Sequence, residues 1–218
     1  MVVAQTKLVA STGARPPRTR RIRHERNETI ALIFTATRQL MLEEGYAAVS
    51  TRRVAKRAGL TAALVHYYFA TTDDLLVALY RHASDEFHLR LMDMLNAASP
   101  VEALWALLTD ANVTALGIEF MALANHRKAI QSELVRLGEQ SRRLTAKILA
   151  PALKRAGLDP EEFPAFGITT IFQGVARTLV MDRHVGISLG VTDAAAIMQR
   201  LLRELTAGRA LLAATTAT

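Results

Sequence analysis

The stretch from Thr51 to Phe69 carries the side chains best suited to binding a polyanion. Its cationic and hydrogen-bonding groups are Arg52, Arg53, Lys56, Arg57, Thr61, His66 and Tyr67. Arginine and lysine neutralise phosphates, while hydroxyl groups and rings contact phosphates or base edges. These residue types therefore indicate a nucleic acid as the binding partner.

The apolar residues of the same stretch predict two short helices that meet at a sharp turn. The first helix reads Thr51 to Ala58, with its small and apolar residues on one face at helical spacing. Gly59 ends it, because a residue just past a helix C-terminus commonly needs a positive φ. Leu60 fills the turn, and Thr61 is the N-cap of a second helix that ends near Tyr68. This spacing is typical of a DNA-binding helix-turn-helix; the alternative is a helical hairpin with a basic face in an ordinary bundle.

The second helix of this pair would present its outward residues to the major groove of DNA. They are Thr61, Ala62, Ala63, His66 and Tyr67. None of them is Arg, Asn or Gln, the side chains that make paired hydrogen bonds with guanine or adenine, so we expect specificity to depend partly on DNA shape. The residues expected to position the protein on phosphates are Ser50, Thr51, Arg52, Arg53 and Tyr67.

Positive charge is concentrated in the N-terminal third of the chain. The formal net charge of the 218 residues is +7; residues 1–70 hold 12 Lys and Arg against 4 Asp and Glu, and residues 71–218 hold 15 against 16. A basic module on a near-neutral body indicates a polyanion partner for one part and another task for the rest.

The sequence also indicates where the protein acts. It contains no cysteine, which favours a reducing, intracellular setting, so we expect a cytoplasmic protein. No apolar run is long enough to span a bilayer, and the first ten residues do not form a secretion signal. No membrane partner is expected.

A basic arm and one long helix precede the helix-turn-helix. Residues 1–24 combine glycine and prolines with a run of arginines and cannot bury enough apolar surface to fold alone, so they predict a disordered arm. This arm either has no role or lies along phosphates or in a minor groove. From about Arg26 to Glu44, apolar residues recur every three or four positions, which predicts an amphipathic helix and completes a three-helix DNA-binding head over residues 25–70.

The head resembles that of the tetracycline-repressor (TetR) family of bacterial transcriptional regulators. The likeness covers about residues 26–80 and rests on Ile33, Ala36, Leu40, Gly45, Tyr46, the run 50–61, the run 65–69, Asp74, Leu75 and Leu76. The family often has tyrosine at the position of His66, histidine at that of Tyr67 and lysine at that of Thr72. Thr72 is kept as a candidate DNA-binding residue, but one expected phosphate contact is lost there.

The rest of the chain predicts a helical body over residues 71–207 and a flexible tail over 208–218. Capping residues and glycines predict its helices at about 72–96, 99–114, 117–123, 126–156, 163–183 and 193–207. Together with the head, this gives an all-α protein of about nine helices. The resemblance implies that the first body helix links the DNA-binding head to an effector-binding and dimerisation body.

The last two predicted helices carry more apolar surface than one body needs. In the resembled family these helices pair across a two-fold axis, which implies a homodimer here. The candidate interface residues are Ile168, Phe172, Val175, Leu179, Ile197, Leu201 and Leu205. Alternatively, both helices only close the core of the protomer.

Large apolar side chains on the body helices are the candidates for an effector pocket. They are Phe87, Leu91, Met94, Trp105, Leu108, Phe120, Met121, Phe166 and Phe172. Few charges interrupt these faces, so we expect a lipophilic small molecule. The alternative is that these side chains form an ordinary core, which such residues do more often than they contact a ligand.

Motifs for catalysis are missing from the sequence. There is no glycine-rich phosphate loop, HExxH or GxSxG, and no cofactor is expected. His82 and Glu86 have the helical spacing of two metal ligands, but such a pair is more often solvated, so no metal site is expected.

Taken together, these features predict a ligand-responsive, homodimeric transcriptional repressor that binds a near-palindromic operator on double-stranded DNA and is not an enzyme. The alternatives are an architectural DNA-binding protein without an effector and a helical enzyme whose basic head binds an anionic substrate.

Overall fold

A computed structural model describes residues 18–208 of the chain, and for residues 18–23 its backbone alone. Nine α-helices and one 3-10 turn make up this part, which contains no strand and confirms the predicted all-α class. The helices are α1 (Arg18–Glu44), α2 (Thr51–Ala58), α3 (Ala62–Tyr68), α4 (Thr72–Met94), α5 (Pro100–Leu108), α6 (Ala111–Ala124), α7 (Lys128–Arg155), α8 (Ala165–Val185) and α9 (Val191–Ala207), and the 3-10 turn is Tyr46–Ala48.

Helix α1 begins earlier than the sequence predicted. It starts at Arg18 instead of Arg26, so residues 18–24, assigned above to a disordered arm, are helical. Arginine and glutamate have high helix propensity, and His24 pairs with Glu28 one turn later at 3.2 Å. Residues 1–17 and 209–218, the remaining arm and most of the predicted tail, lie outside the described residues.

The break between α5 and α6 was also predicted wrongly. Helix α5 ends at Leu108 and not near Thr114, and α6 spans Ala111–Ala124 and not 117–123. The reason is Asp110, whose side chain accepts a hydrogen bond from the backbone N–H of Val113 at 3.0 Å and so begins a new helix. The other predicted starts lie close to those observed; Thr71 and Asp74 form the expected capping box of α4.

Two apolar clusters form the core. The first fills the head and continues into the body, because Leu116 and Phe120 of α6 and Ile130 of α7 pack with side chains of α1 to α4. The second lies between α4, α5, α7, α8 and α9 and is called here the body cluster; it includes Leu91, Leu149, Phe172 and Leu202. The core therefore crosses the predicted head and body boundary at residue 70, so helices of the body directly support the head.

Within residues 18–208, no single helix is long and apolar enough to cross a bilayer. Helices α5 and α6 have the length and composition of a membrane span only when taken together, and they are bent by 58° relative to each other.

Candidate nucleic-acid interface and body cavities

Local hydrogen bonds hold α2 and α3 in the predicted helix-turn-helix. The Ser50 hydroxyl accepts from the backbone N–H of Arg53 at 3.3 Å, and the Thr61 hydroxyl accepts from that of Leu64 at 3.2 Å, so each helix has a side-chain cap. Gly59 adopts φ 68° and ψ 27°, the left-handed conformation expected of it. The backbone N–H of Leu60 then donates to the carbonyl of Ala55 at 2.9 Å, which closes the turn.

Buried apolar side chains fix the angle between these two helices. Val54 and Val65 have no exposed surface, and Ala55 is 2% exposed at the position where a small residue was expected. A larger side chain at Ala55 would separate α2 from α3.

The outward face of α3 is open to solvent. Thr61, Ala63, His66 and Tyr67 are exposed, and Ala62 is half-buried. Tyr67 is 80% exposed although its ring contacts that of Tyr68 with centroids 5.2 Å apart. The face predicted to read base edges is therefore accessible to a large partner.

Thr51 and His66 interact with each other across the turn. The Thr51 hydroxyl lies 3.1 Å from His66 Nε2, and Thr51 is only 9% exposed. The Thr51 hydroxyl is thus already engaged by His66, with which a phosphate would have to compete, and the phosphate contact of Thr51 stays a prediction. The place of Thr51 in the structure is to orient His66 on α3.

The cations of α2 differ in their surroundings. Arg52 is exposed and makes no ion pair within residues 18–208. Arg53 donates to Glu44 at 2.5 Å, and Arg57 pairs with Glu43 and lies 3.6 Å from Glu44. The sequence analysis missed these carboxylates, although an acidic pair at the end of α1, just before a basic helix, was a visible signal.

Thr72 is the first residue of α4 and is half-buried. Its neighbours Asp73 and Asp74 are engaged, the first with Arg127 and the second in the capping box with Thr71. Two carboxylates beside Thr72 disfavour a phosphate at this position, consistent with the weakened contact expected from the sequence.

Helix α4 makes polar contacts with α1 and with α7. Arg38 of α1 donates to Glu86 at 2.8 Å, and Arg81 donates to Glu133 of α7 at 2.6 Å. Hydrogen bonds from Arg81 and then Arg136 lower the pKa of Glu133 to about 2. Burial acts to raise the pKa of Glu86, but the hydrogen bond and charge of Arg38 outweigh it and the pKa is lowered.

A buried histidine adds a further contact between α4 and α7. His88 is 6% exposed, and its Nε2 lies 2.7 Å from the Ser141 hydroxyl, which itself donates to the carbonyl of Leu137. Since that hydroxyl has one proton, His88 Nε2 is the donor. The two helices are therefore held in one register.

His82 and Glu86, the pair with the helical spacing of two metal ligands, are already engaged within the protein. His82 lies 3.4 Å from Glu86, which also binds Arg38, and the His82 ring stacks on Phe34. In the part of the chain that is described, no group of three or more His, Cys, Asp or Glu could hold a metal ion.

Head and body also meet at the connection between α1 and α2. Glu119 Oε2 of α6 accepts a hydrogen bond from the backbone N–H of Tyr46 at 2.7 Å. Tyr46 follows Gly45, which has a φ of 79°. A side chain of the body therefore caps the short turn that precedes the helix-turn-helix.

The nine side chains predicted to line an effector pocket occupy three different environments. Six belong to the body cluster or pack against it: Phe87, Leu91, Met94, Trp105, Leu108 and Phe172. Phe120 lies in the cluster shared with the head, and Met121 and Phe166 are exposed. The last three are thus not brought together with the others, because α6 and the start of α8 turn these side chains away from the body cluster.

Two surface cavities stand out in the described part of the chain, and none of those nine residues lines either. One, of about 550 Å³, lies between α8 and α9 and is lined by Ile171, Gly174, Val175, Leu179, Leu189 and Ala194, among others. The other, of about 360 Å³, lies between the end of α1, α6 and the end of α8.

The predicted dimer residues divide between the surface and the core. Ile197 and Leu201 of α9 are exposed, and Ile168 and Val175 of α8 are half-buried. Phe172, Leu179 and Leu205 are buried within this chain, so their assignment to an interface needs correction. Each has its apolar surface covered by its own protomer.

Part of the sequence matches a known protein family. Residues 33–79 match the family described as bacterial regulatory proteins, tetR family. A search of curated protein sequences finds no match.

The whole fold is similar to solved structures of transcriptional regulators. A TetR transcription regulator from Haloarcula marismortui aligns with TM-score 0.62 and 19% identity, over 84% of this chain and 98% of that chain. A putative transcriptional regulator from Saccharomonospora viridis in complex with choline aligns with TM-score 0.67 and 15% identity, over 81% of this chain and 96% of that chain. FadR from Bacillus subtilis in complex with stearoyl-CoA aligns with TM-score 0.61 and 17% identity, over 82% of this chain and 98% of that chain. At these identities the likeness establishes the fold.

Proposed function

We propose that this chain, a member of the tetR family of transcriptional regulators, is a repressor that binds a near-palindromic operator as a homodimer and is released by a small lipophilic molecule. The observation that carries the proposal is the helix-turn-helix within the matched residues 33–79, whose α3 leaves Thr61, His66 and Tyr67 open to a DNA groove. Arg52 at the start of α2, which is exposed and has no ion pair within residues 18–208, supplies a cation beside it.

The exposed apolar surface of α8 and α9 supports a second copy of this chain as its partner. Ile171, Leu189 and Ile197 are exposed, and a groove of about 550 Å³ runs between the two helices. Contiguous apolar surface of this kind is typical of protein interfaces. In a two-fold dimer, two α3 helices would reach half-sites about one DNA turn, roughly 34 Å, apart.

The effector is proposed to enter the body cluster between α4, α5, α7, α8 and α9. This cluster is almost entirely apolar, which favours a lipophilic ligand. The hydroxyls of Thr145 and Thr169 and one carboxylate oxygen of Glu102 are buried and have no hydrogen-bond partner in the described residues, and they could bind a polar group of that ligand. Related folds accommodate small ligands, since two similar regulators are in complexes with choline and with stearoyl-CoA.

Selection of bound duplexes from a random pool, followed by titration of the selected duplex at several salt concentrations, tests DNA binding. We expect a palindrome with half-sites about 10 base pairs apart, or a multiple of that spacing. Tyr67→Ala should weaken binding to that duplex, while Leu89→Ala on the exposed surface of α4 should not. Failure of the wild-type chain to enrich any sequence and to retard duplex DNA at low salt would contradict the proposal.

Thermal unfolding with a panel of lipophilic small molecules tests the effector. A ligand that binds the folded state raises the unfolding temperature by mass action and, as an effector, lowers affinity for the selected duplex. If the chain binds the palindrome and no ligand in the panel has either effect, an architectural DNA-binding protein becomes the better interpretation.

A further inference from the structure

A cleft of about 360 Å³ lies where the head meets the body, apart from the body cluster. Its walls are mostly apolar side chains of α1, α6 and α8: Leu42, Ala111, Ala115, Ile118, Val180 and Met181. Its polar lining comes from Thr109, Glu119, Arg183 and His184. The volume and the mixed lining suit a small amphipathic molecule.

Glu119 connects this cleft to the DNA-binding head. Glu119 lines the cleft, and its carboxylate accepts the hydrogen bond from the backbone N–H of Tyr46 at 2.7 Å. A Cβ atom added at Gly45 would lie 3.8 Å from the same carboxylate oxygen, so the body approaches this connection closely. Because the connection leads directly into α2, a change at Glu119 acts on the helix-turn-helix without passing through α4.

The charges that line the cleft favour an anion. Arg183 and His184 lie in the last turn of α8, are exposed, and form no ion pair within residues 18–208. Glu119 is the one carboxylate of the lining, and its hydrogen bond with the neutral backbone N–H of Tyr46 leaves it charged, so an anion is attracted by Arg183 and repelled by Glu119. An unpaired guanidinium beside apolar walls can bind a carboxylate head group while the walls cover a short aliphatic chain.

We propose that this cleft binds a small amphipathic carboxylate, and that the bound anion weakens the hydrogen bond between Glu119 and Tyr46 and thereby lowers DNA affinity. The inference rests on the proposed function, because it adds a second ligand site to a DNA-binding regulator. The ligand and the Glu119 carboxylate repel each other within one small cleft, so the ligand binds more tightly when Glu119 has turned away from it. By linkage, the ligand favours those conformers, in which Tyr46 has lost its partner.

Calorimetric titration of the full chain with octanoate tests the site, with octylamine and octanol as probes of the opposite charge and of no charge. We expect octanoate to bind the wild type, and Arg183→Gln to weaken binding about tenfold through loss of a charge-assisted hydrogen bond. Arg177→Gln is the matched control, because Arg177 is also exposed on α8 and does not line the cleft. Absence of octanoate binding, equal binding of octylamine, or equal affinities of the two arginine variants would overturn the proposal.

Glu119→Gln tests the coupling to the head. Glutamine keeps an oxygen that can accept from Tyr46 but removes the negative charge, so the effect of octanoate is measured for each protein relative to that protein's own DNA affinity without octanoate. Octanoate should lower the DNA affinity of the wild type about tenfold and that of the variant by less than about twofold, while binding the variant more tightly. An equal octanoate effect on both proteins would refute the coupling.

Separate measurements distinguish this inference from the proposed function. A chain that binds octanoate through Arg183 but binds no duplex contradicts the proposed function and leaves the ligand site in place. A chain that binds its palindrome but not octanoate contradicts the cleft site alone.

Discussion

Single residues of α2 differ in how freely they can bind DNA. Arg52 is exposed without an ion pair in the described chain, whereas Arg53 is bound to Glu44 at 2.5 Å. A phosphate must displace Glu44 before it can use Arg53 fully, but it meets no such competitor at Arg52. The two neighbouring arginines should therefore contribute unequally to DNA affinity.

Alanine substitution of each arginine measures this difference. Arg52→Ala should weaken binding to every duplex and reduce the slope of log K against log salt by about 0.9, the value for one phosphate contact. Arg53→Ala should reduce the slope by less, because the wild-type Arg53 is partly neutralised. Fluorescence anisotropy titrations over a range of salt concentrations give both slopes, and an unchanged slope for Arg52→Ala would refute its assignment to phosphate.

Glu44→Gln provides the reciprocal test of the same prediction. Release of Arg53 should tighten DNA binding and steepen the salt slope. Glu28→Gln is the matched control, because it removes the same charge from α1 where the partner is His24 and not a cation of α2. If both variants tighten binding equally, net charge and not the pairing of Arg53 is responsible.

The left-handed conformation of Gly59 makes a second prediction at this scale. Added Cβ atoms at Gly59 and at Gly138 of α7 would both meet nothing within 4 Å, but only Gly59 has a positive φ, of 68°. Gly59→Ala should therefore destabilise the protein by about 1 kcal/mol, while Gly138→Ala should stabilise it by about 0.5–1 kcal/mol through helix propensity. Urea unfolding of the two variants measures both effects; equal stabilities would mean that the turn does not require glycine.

Local sequence signals were sufficient to predict the turn of the helix-turn-helix, but they did not predict which side chains of other helices contact it. Gly59 and Thr61 were predicted correctly because a positive φ or a cap depends on neighbours within a few positions. The contacts of Thr51 with His66 and of Arg53 with Glu44 depend on how separate helices pack, which helical periodicity does not specify.

At the scale of helices, the predicted ends were most accurate where capping residues are strong. Thr71 caps α4, which begins at Thr72, and Pro100 begins α5, both close to the predicted starts. The early start of α1 at Arg18 was missed because polar, arginine-rich sequence gives no apolar periodicity, although its helix propensity is high. Asp110 was missed as a cap because the apolar pattern continues on both sides of it.

The contact between α4 and α7 predicts a dependence of stability on acid. The pKa of Glu133 is lowered from 4.5 to about 2, first by the hydrogen bond from Arg81. Because the pKa of Glu133 is lower in the folded state than in the unfolded state, its carboxylate stabilises the folded protein fully above the unfolded-state pKa of 4.5. This contribution is lost as the pH falls from 4.5 toward 2. Glu133→Gln should therefore show a smaller loss of unfolding free energy between about pH 6 and about pH 3 than the wild type does.

Glu139→Gln is the control for this measurement, because Glu139 lies on the same helix as Glu133. Its ion pair with Arg143, four residues later, has a distance of 3.0 Å, and both side chains are well exposed. Urea titrations at both pH values give the four free energies. If Glu133→Gln retains the full acid dependence of the wild type, the pair with Arg81 does not couple α4 to α7.

At the scale of the whole molecule, one of the two apolar clusters is shared by the head and the body and supports the head. Phe120 of α6 is 1% exposed and its ring lies 4.8 Å from that of Tyr80 of α4, centroid to centroid. The sequence predicted two parts from their charge, but charge describes only the surface. It could not indicate that α6 would contribute side chains to the core of the head, because that depends on how distant helices pack.

The apolar surface of α8 and α9 was predicted as a surplus, but its exact face was not. Both helices are apolar on several sides, and one protomer covers Phe172, Leu179 and Leu205 while leaving Ile171 and Ile197 exposed. Which sides the protomer covers depends on how α8 and α9 pack against α5 and α7, information that a nearly all-apolar helix does not contain.

Ile197→Asp tests whether this exposed face joins two copies. Ile197 is 60% exposed, so a carboxylate there should leave the unfolding free energy of the protomer within about 0.5 kcal/mol of its original value. In a two-fold interface the change occurs twice and places like charges opposite apolar surface, which should weaken dimerisation by about 2 kcal/mol or more. Light scattering after size-exclusion chromatography measures the mass. Leu89→Asp, at 62% exposure on α4, is the matched control and should stay dimeric. A monomeric wild type, or an Ile197→Asp variant as dimeric as the control at low concentration, would mean that α8 and α9 only close the core of one chain.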